Sequence, residues 1–374
     1  MRKVAVIGVG LHPYGKWADK DAGQLAQTAI HEALRGAGIE WRDVGSAWCG
    51  HIGQGMTAGA RLFSALGRTG LSITNVENAS ATGSYAFRGA YQDVASGEFE
   101  IALALGVDKL PRRDPPPPSE PPAAATEKKS RPPTGPMLKF AQDALAHMEK
   151  YGTTIDQIAQ VSVKQHYNGA RNPNAQYQEE VTLEQVHAAR VVAAPLTVLH
   201  CCPFGDGAAA AVVASEAVVK RLGIKQPLWV TASVSQSTQE STPELTDLTA
   251  STARQAYERA GIGPSDLGLV ELHDAATIEE ILYAESLGLC PEGQGGRLVA
   301  EGATALTGRI PINASGGLLA MGHPFGPTGI GQIAEIYWQS HGQAGKRQIP
   351  TPPKTGLAHM IGLGGTCIVH IFQR

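Results

Sequence analysis

The chain has 374 residues, of which 43% are hydrophobic, and its formal net charge is −3. A chain of this length can bury a sizeable core and divide into two or three domain-sized units. The charge is near neutral and Lys and Arg form no dense tract, which argues against nucleic acid or an anionic membrane as the main partner. The apolar runs are also shorter than the roughly 18 residues that a membrane span needs.

The cysteine pattern favours a reducing compartment. The five cysteines are odd in number and lack metal-type CxxC spacing: Cys49, Cys201, Cys202, Cys290 and Cys367. Such usage suits a cytoplasmic protein better than a disulfide-linked secreted one. The opening MRKVAVIGVG has an apolar run of about seven residues that ends in glycine, which predicts a first strand rather than a signal peptide.

The elements that follow alternate between strands and helices. KVAVIGVG (residues 3–10) is typical of a buried strand, residues 21–38 of an amphipathic helix closed by glycine, and VGSAWCG (44–50) of a second strand. In NVENASATGSYAFRGAYQ (75–92), a short strand runs into a helix that we expect to start at Ser80. Abundant glycine and scarce aromatic residues are also common where βα turns are frequent, so the pattern predicts an α/β protein.

A proline-rich insert occupies residues 111–136, PRRDPPPPSEPPAAATEKKSRPPTGP. This composition predicts a surface loop with polyproline character. Two interpretations stay open, a solvated linker and a flap over a ligand groove. Residues 137–154 then predict a helix that ends at Gly152.

The two ends of the chain resemble each other. ALRGAGIEWRDVGSAWCGH (33–51) aligns with AYERAGIGPSDLGLVELHD (256–274), and PLWVTASVS (227–235) is similar to the first strand. So long a period indicates a duplicated domain rather than a solenoid. We therefore predict two similar βα halves, residues 1–222 with the proline-rich insert and residues 223–374.

Four polar or glycine-rich motifs follow predicted strands, where α/β sheets usually place their chemistry. They are NASATGS (78–84), ELHDAAT (271–277), NASGGLLAMGHPFGPTG (313–329) and GLAHMIGLGGTCIVHIF (356–372). In this order the motifs resemble those of the thiolase superfamily. They are most similar to its branch of sterol-carrier-protein thiolases and lipid-transfer-protein homologues, to which residues 194–213 are also similar.

The resemblance implies a thiolase-like fold of five αβαβα layers, an obligate homodimer and acyl-CoA thioesters as substrates. Coenzyme A would be a co-substrate, and we expect no cofactor or metal. Branch resemblance also suggests a small zinc-ribbon and OB-fold partner protein. The acyl group stays open, since steroid, aromatic and fatty acyl chains are all compatible with the sequence.

Ser80 stands where a typical thiolase has the cysteine that takes the acyl group. A helix N-terminus helps to hold a thiolate, whereas a hydroxyl needs an adjacent general base before it can attack. Three interpretations of Ser80 remain. It is a helix cap, a serine nucleophile, or a replacement for cysteine that arose by design or in a lineage with a changed reaction.

The remaining motifs imply further roles by the same resemblance. His323 would activate the nucleophile and help to bind a thioester oxygen, and His273 would serve an oxyanion hole. Asp274 would orient its loop, and the Gly364 backbone N–H would serve a second oxyanion hole.

The last motif departs from the family. The C-x-G triplet that carries the second, acid/base cysteine corresponds here to Gly362-Leu363-Gly364, and we expect Cys367 to be a buried packing residue.

We predict an enzyme that makes or breaks a carbon-carbon bond next to a CoA thioester, by 3-oxoacyl-CoA thiolysis or acyl transfer. The alternatives are a retro-aldol lyase on 3-hydroxyacyl-CoA, for which two histidines and oxyanion donors suffice, and a non-catalytic acyl-CoA or lipid-binding homologue.

Overall fold

The computed structural model describes residues 2–110, 135–240 and 244–374. The predicted proline-rich insert lies almost wholly outside the described residues. Among the helices that are described, none is both long enough and apolar enough to cross a bilayer.

The described residues form eleven strands, nine of which belong to one sheet in the order β3-β2-β4-β7-β1-β8-β11-β10-β9. The other two, β5 and β6, form a small antiparallel pair. In chain order the strands are β1 Val4–Gly15, β2 Ser46–Gly50, β3 Ser72–Val76, β4 Ile101–Asp108, β5 Val191–Ala193, β6 Leu196–Thr197, β7 Asp206–Ser215, β8 Leu228–Ser237, β9 Leu269–Glu271, β10 Thr355–Gly362 and β11 Thr366–Gln373.

Eleven α-helices surround these strands in the described ranges. They are α1 Ala22–Ala37, α2 Ala58–Ser64, α3 Thr82–Ser96, α4 Gly135–Tyr151, α5 Ile155–Gly169, α6 Leu183–Ala188, α7 Glu216–Arg221, α8 Leu245–Ala260, α9 Thr277–Ser286, α10 Gly295–Ala300 and α11 Phe325–Ser340. The predicted end of α4 near Gly152 is confirmed, since this glycine follows Tyr151 with a positive φ of 73°.

The sheet consists of two halves that meet at a short junction. Strands β1 and β8 pair at only two positions, Ala5 with Trp229 and Val6 with Leu228. Helices α3 and α11 contact each other between the halves, α11 touching β4 and β7 on one side and β10 on the other. Helix α1 packs on β1 and β7 from outside, and α8 packs likewise on β8 and β11. The predicted five αβαβα layers are therefore confirmed.

The internal repeat is visible in how the equivalent helices end. Helix α1 stops at Gly38 with φ of 67°, and α8 stops at Gly261 with φ of 69°. This left-handed conformation is one that glycine adopts without steric cost, which explains the shared A-G-I step. In both copies a 3₁₀ turn and a strand follow, β2 in the first half and β9 in the second.

The two central helices approach closely at their N-terminal ends. A Cβ atom at Gly83 of α3, or at Gly106 of β4, would overlap the carbonyl oxygen of Gly326 in α11. Glycine at these positions lets the backbones touch. The first turns of α3 and α11 therefore lie side by side, and the loops before them, which carry Ser80 and His323, face each other.

Candidate active site

Ser80 lies in a tight turn between β3 and α3. Ala79 has a φ of 48°, a left-handed conformation that is uncommon for any residue except glycine. The Ala79 N–H donates to Glu77 Oε1 over 2.6 Å, and the Ala81 N–H donates to the Asn78 carbonyl over 3.0 Å. The turn thus presents the half-buried Ser80 side chain just before the helix begins.

The interpretation of Ser80 as a helix cap is wrong. Helix α3 starts at Thr82, two residues later than expected, and Ala81 occupies the N-cap position. Thr82 supports the turn instead, because its hydroxyl accepts from the Asn78 N–H and donates to the Ala79 carbonyl. Because of the positive φ at Ala79, Ser80 lies outside the first turn of the helix, and its hydroxyl is available to another partner.

That partner is His323. Ser80 Oγ lies 2.9 Å from His323 Nε2, and His323 Nδ1 lies 3.0 Å from the Thr328 hydroxyl oxygen. Thr328 donates its only hydroxyl proton to the carbonyl of Pro324, the residue just before α11. Thr328 can therefore only accept from His323, which places the ring proton on Nδ1 and the lone pair on Nε2. The tautomer thus inferred makes Nε2 the acceptor of the Ser80 proton.

The surroundings of His323 keep its ring uncharged. Complete burial lowers the pKa of His323 well below its usual range, and the neighbouring His273 lowers it further. The two rings meet edge to face with centroids 5.7 Å apart. A neutral imidazole beside a hydroxyl is the arrangement that activates serine nucleophiles in unrelated hydrolases.

His273 follows β9 and is buried beside His323. Its Nδ1 lies 3.2 Å from Glu279 Oε2 in α9, an ion-pair approach without in-line hydrogen-bond geometry. Asp274 turns away from the rings, accepting the Leu318 N–H over 2.7 Å and a Gln165 amide N–H over 3.0 Å. Burial raises the pKa of Asp274 well above its usual range. These contacts fit the loop-orienting role expected of Asp274.

Gly364, unlike His273 and His323, is exposed to solvent. It lies at the exposed tip of the β10–β11 hairpin with a φ of 97°. Gly362, at the base of the hairpin, touches the Ser80 turn, since a Cβ there would lie 2.6 Å from the Asn78 carbonyl oxygen. The oxyanion role of Gly364 stays a prediction. Cys367 is fully buried in β11, in agreement with a packing role.

Sequence reasoning missed two residues that complete the centre, Thr328 and Glu279. Thr328 lies four residues after Pro324, the spacing at which a helical hydroxyl can reach a carbonyl one turn back, so a signal existed. No sequence signal marked Glu279 as a site residue, because a glutamate in a helix ordinarily faces solvent.

Asp108 and the segment around Cys202 hold the loops in place. Asp108, at the end of β4, accepts backbone N–H groups from Ile52 and Gly326, and burial raises its pKa to about 7. The Cys202 N–H donates to the Ala275 carbonyl over 2.9 Å. The Asp108 bonds tie the loop after β2 to the start of α11, and the Cys202 bond ties the segment between β6 and β7 to the loop after β9.

A cleft of about 210 Å³ opens between α4, α8 and α9. Its lining includes Glu279 and Tyr283, so it reaches the carboxylate that lies beside His273. A larger hollow of about 520 Å³ lies around Gly261 and Leu287 and has none of the predicted site residues in its lining. Neither lining includes Ser80, His273 or His323, so the smaller cleft meets the site only through Glu279.

Two family models match the chain, "Thiolase, N-terminal domain" over residues 4–217 and "Thiolase C-terminal domain-like" over residues 231–374. Acetyl-CoA acetyltransferase of Methanothermobacter thermautotrophicus is 40% identical, over the full length of both chains. Human sterol carrier protein 2 is 38% identical over 100% of this chain and 72% of its own length. Benzoylsuccinyl-CoA thiolase subunit BbsB of Thauera aromatica is 37% identical over 97% of this chain and 95% of its own.

Among solved structures, an Ltp2-ChsH2(DUF35) aldolase superposes with a TM-score of 0.82 at 23% identity. The match covers 99% of this chain and 98% of that one, which shows a shared fold. The predicted resemblance, including its sterol-carrier branch, is confirmed by these matches. With both halves matched and relatives of 37–40% identity along nearly its whole length, the chain belongs to the thiolase family.

Proposed function

We propose that this thiolase-family enzyme makes or breaks a carbon-carbon bond beside a CoA thioester, with Ser80 as the residue that carries the acyl group. Family membership supports the thioester chemistry. The observation that carries the role of Ser80 is its 2.9 Å contact with His323 Nε2, in a ring whose tautomer Thr328 fixes. Since a hydroxyl attacks only with a base beside it, this contact supplies what a serine needs in the place of cysteine.

In the thiolysis direction the reaction has two halves. Ser80 Oγ attacks the 3-oxo carbon while its proton passes to His323 Nε2, and the bond between C2 and C3 breaks. The acyl group stays on Ser80 as an ester, and the shortened CoA thioester leaves as an enolate that takes a proton at C2. Free CoA then gives up its thiol proton, which balances the one taken at C2, and attacks the ester through sulfur. The bond between the acyl carbon and Ser80 Oγ breaks, and His323 returns its proton to Ser80. The His323 ring thus acts first as base and then as acid.

Intact-mass spectrometry of the protein mixed with a 3-oxoacyl-CoA tests this proposal. The expected result is a mass increase equal to the acyl group, which Ser80→Ala abolishes. Ser84→Ala is the matched control, since Ser84 is a buried serine in the same stretch, packed against Gly329. An adduct that persists in Ser80→Ala, or no adduct in the parent protein, contradicts the proposal.

A retro-aldol lyase is the second candidate, favoured by the replacement of the C-x-G triplet by Gly362-Leu363-Gly364. Such an enzyme splits a 3-hydroxyacyl-CoA into a ketone or aldehyde and a shorter thioester without any adduct on Ser80. A non-catalytic homologue differs from both, because it binds CoA esters with an affinity that His323→Ala leaves unchanged and turns over neither substrate.

We also propose a homodimer. Within the described residues β3 pairs only with β2, so its outer edge, where Ser72 and Asn75 are exposed, presents unpaired backbone groups. A second copy that covers this edge would satisfy these groups. Light scattering should give twice the chain mass, and a concentration-independent monomer contradicts the proposal.

We further propose that the protein is cytoplasmic and that it binds a small partner protein of the zinc-ribbon and OB-fold class. Its support is that one relative is named as a thiolase subunit and one structural neighbour is named as a complex. Purification of the native protein from its own cells, followed by mass spectrometry of co-eluting chains, tests this assembly.

A further inference from the structure

We propose that His273, positioned by Glu279, moves the proton at C2 of the CoA ester in place of the missing second cysteine. The inference rests on the proposed carbon-carbon bond reaction. Cleavage leaves an enolate that must gain a proton, and synthesis requires the loss of one, so the site needs a second acid/base group besides His323. The triplet Gly362-Leu363-Gly364 offers no side chain for this step.

The geometry brings His273 and Glu279 together inside the protein. Glu279 is buried in α9, and its Oε2 lies 3.2 Å from His273 Nδ1. The carboxylate is held from other sides, because Tyr283 donates its hydroxyl proton to Oε1 over 3.1 Å and the Ala276 N–H donates to Oε2 over 3.3 Å. A carboxylate fixed beside one nitrogen of a buried imidazole selects the tautomer and stabilises the imidazolium that forms.

This placement decides which nitrogen of His273 faces the reaction. Within the described part of the chain, both nitrogens of His273 are buried and neither has a hydrogen-bond partner. A lone pair on Nδ1 would face the Glu279 carboxylate oxygen at 3.2 Å, and this repulsion favours the ring proton on Nδ1 and the lone pair on Nε2. The ring lies 5.7 Å from that of His323. His273 is thereby suited to take a proton from substrate, and the oxyanion-donor role expected of it holds only while the ring is protonated.

Glu279 differs from the neighbouring glutamate, Glu280, in the partners of its carboxylate. Glu280 is buried too, but it accepts from the Lys164 ammonium and the Gln165 amide. It therefore has a structural partner for each oxygen. Glu279 instead combines a histidine contact with a position in the wall of the 210 Å³ cleft. The cleft gives the Glu279 carboxylate a route for proton exchange with solvent.

The proton balance closes over a full thiolysis cycle. The electron pair of the broken C2–C3 bond stays on C2, and the His273 imidazolium gives its proton to that carbon and becomes neutral. In the second half, the proton lost by the CoA thiol restores the imidazolium. One proton thus passes from thiol to carbon, as the overall reaction requires.

Exchange of the methyl protons of acetyl-CoA in D₂O tests the inference directly, because it reports proton transfer at C2 without needing an acyl group on Ser80. We expect Glu279→Gln to lower the exchange rate by about 10²- to 10⁴-fold, the range typical of acid/base catalysis. Formation of the Ser80 adduct should stay within about threefold of the parent rate, since His323 and Thr328 are untouched. Glu279→Asp should recover part of the exchange rate.

Asp143→Asn is the matched control. Asp143 also lines the cleft, where its carboxylate bonds to Lys139, and its loss should leave exchange unchanged. The inference is overturned if Glu279→Gln exchanges at the parent rate, or if exchange and adduct formation fall together by the same factor. Failure of the proposed function has a different signature, namely exchange without any adduct on Ser80.

Discussion

Replacement of Thr328 by valine isolates the contribution of the proton on His323. Valine keeps the shape of threonine but neither accepts from His323 Nδ1 nor donates to the Pro324 carbonyl. A buried N–H left without a partner costs about 1–3 kcal/mol. Each 1.4 kcal/mol is a factor of ten, so the loss corresponds to about 5- to 150-fold in the rate of Ser80 acylation. The cost is greatest when the ring is protonated, because its N–H groups are then the strongest donors.

The assay is the time course of acyl adduct formation by quenched intact-mass spectrometry with a saturating 3-oxoacyl-CoA. Thr328→Ser is the control, because it retains the hydroxyl and should acylate within about threefold of the parent rate. Equal rates for the valine and serine variants would refute the reasoning, since they would show that the hydroxyl has no part in setting the tautomer.

Three further outcomes are expected. Burial and the nearby His273 lower the pKa of His323, and the ring acts as a base only when it is neutral. The acylation rate should therefore stay constant from about pH 8 to pH 6 and fall only at lower pH. A midpoint of this fall at or above about pH 6.5 would contradict the expectation. Gly83→Ala forces a Cβ against the Gly326 carbonyl, so we expect a loss of about 1–3 kcal/mol in unfolding free energy and slower acylation, and an unchanged denaturation midpoint would be inconsistent with the close approach of α3 and α11. Glu335→Gln leaves Arg347 buried without its bidentate partner and should cost about 3–5 kcal/mol in urea denaturation, whereas a loss below about 1 kcal/mol would show that Arg347 finds other compensation.

The fold and two of the site histidines could be predicted from sequence because local patterns encode them. The A-G-I step at Gly38 and Gly261 marks left-handed helix ends in both halves, and these ends recur because the halves share one topology. His273 and His323 lie in short motifs whose order along the chain is specific. The contact between the two imidazole rings, however, joins loops that are fifty residues apart in sequence, so only the folded structure shows it.

Other parts of the site depend on geometry that no local pattern records. Ser80 was compatible with a helix cap because serine is a common capping residue, and only the φ of 48° at Ala79 moves it out of that position. Glu279 and Glu280 are adjacent acidic residues with nothing in the sequence to separate them. Their different partners, His273 and Lys164, arise from the packing of α9 against α5 and the loop after β9.

The central claim is that Ser80 carries the acyl group, and peptide mapping of the acylated protein tests it most directly. After reaction with a 3-oxoacyl-CoA and digestion with trypsin, residues 69–88 form one peptide, TGLSITNVENASATGSYAFR. The account predicts an acyl mass on this peptide, assigned to Ser80 by fragmentation, and resistance of the adduct to the neutral hydroxylamine that cleaves thioesters. An acyl group on a cysteine peptide, or turnover of substrate with residues 69–88 unmodified throughout, would contradict it.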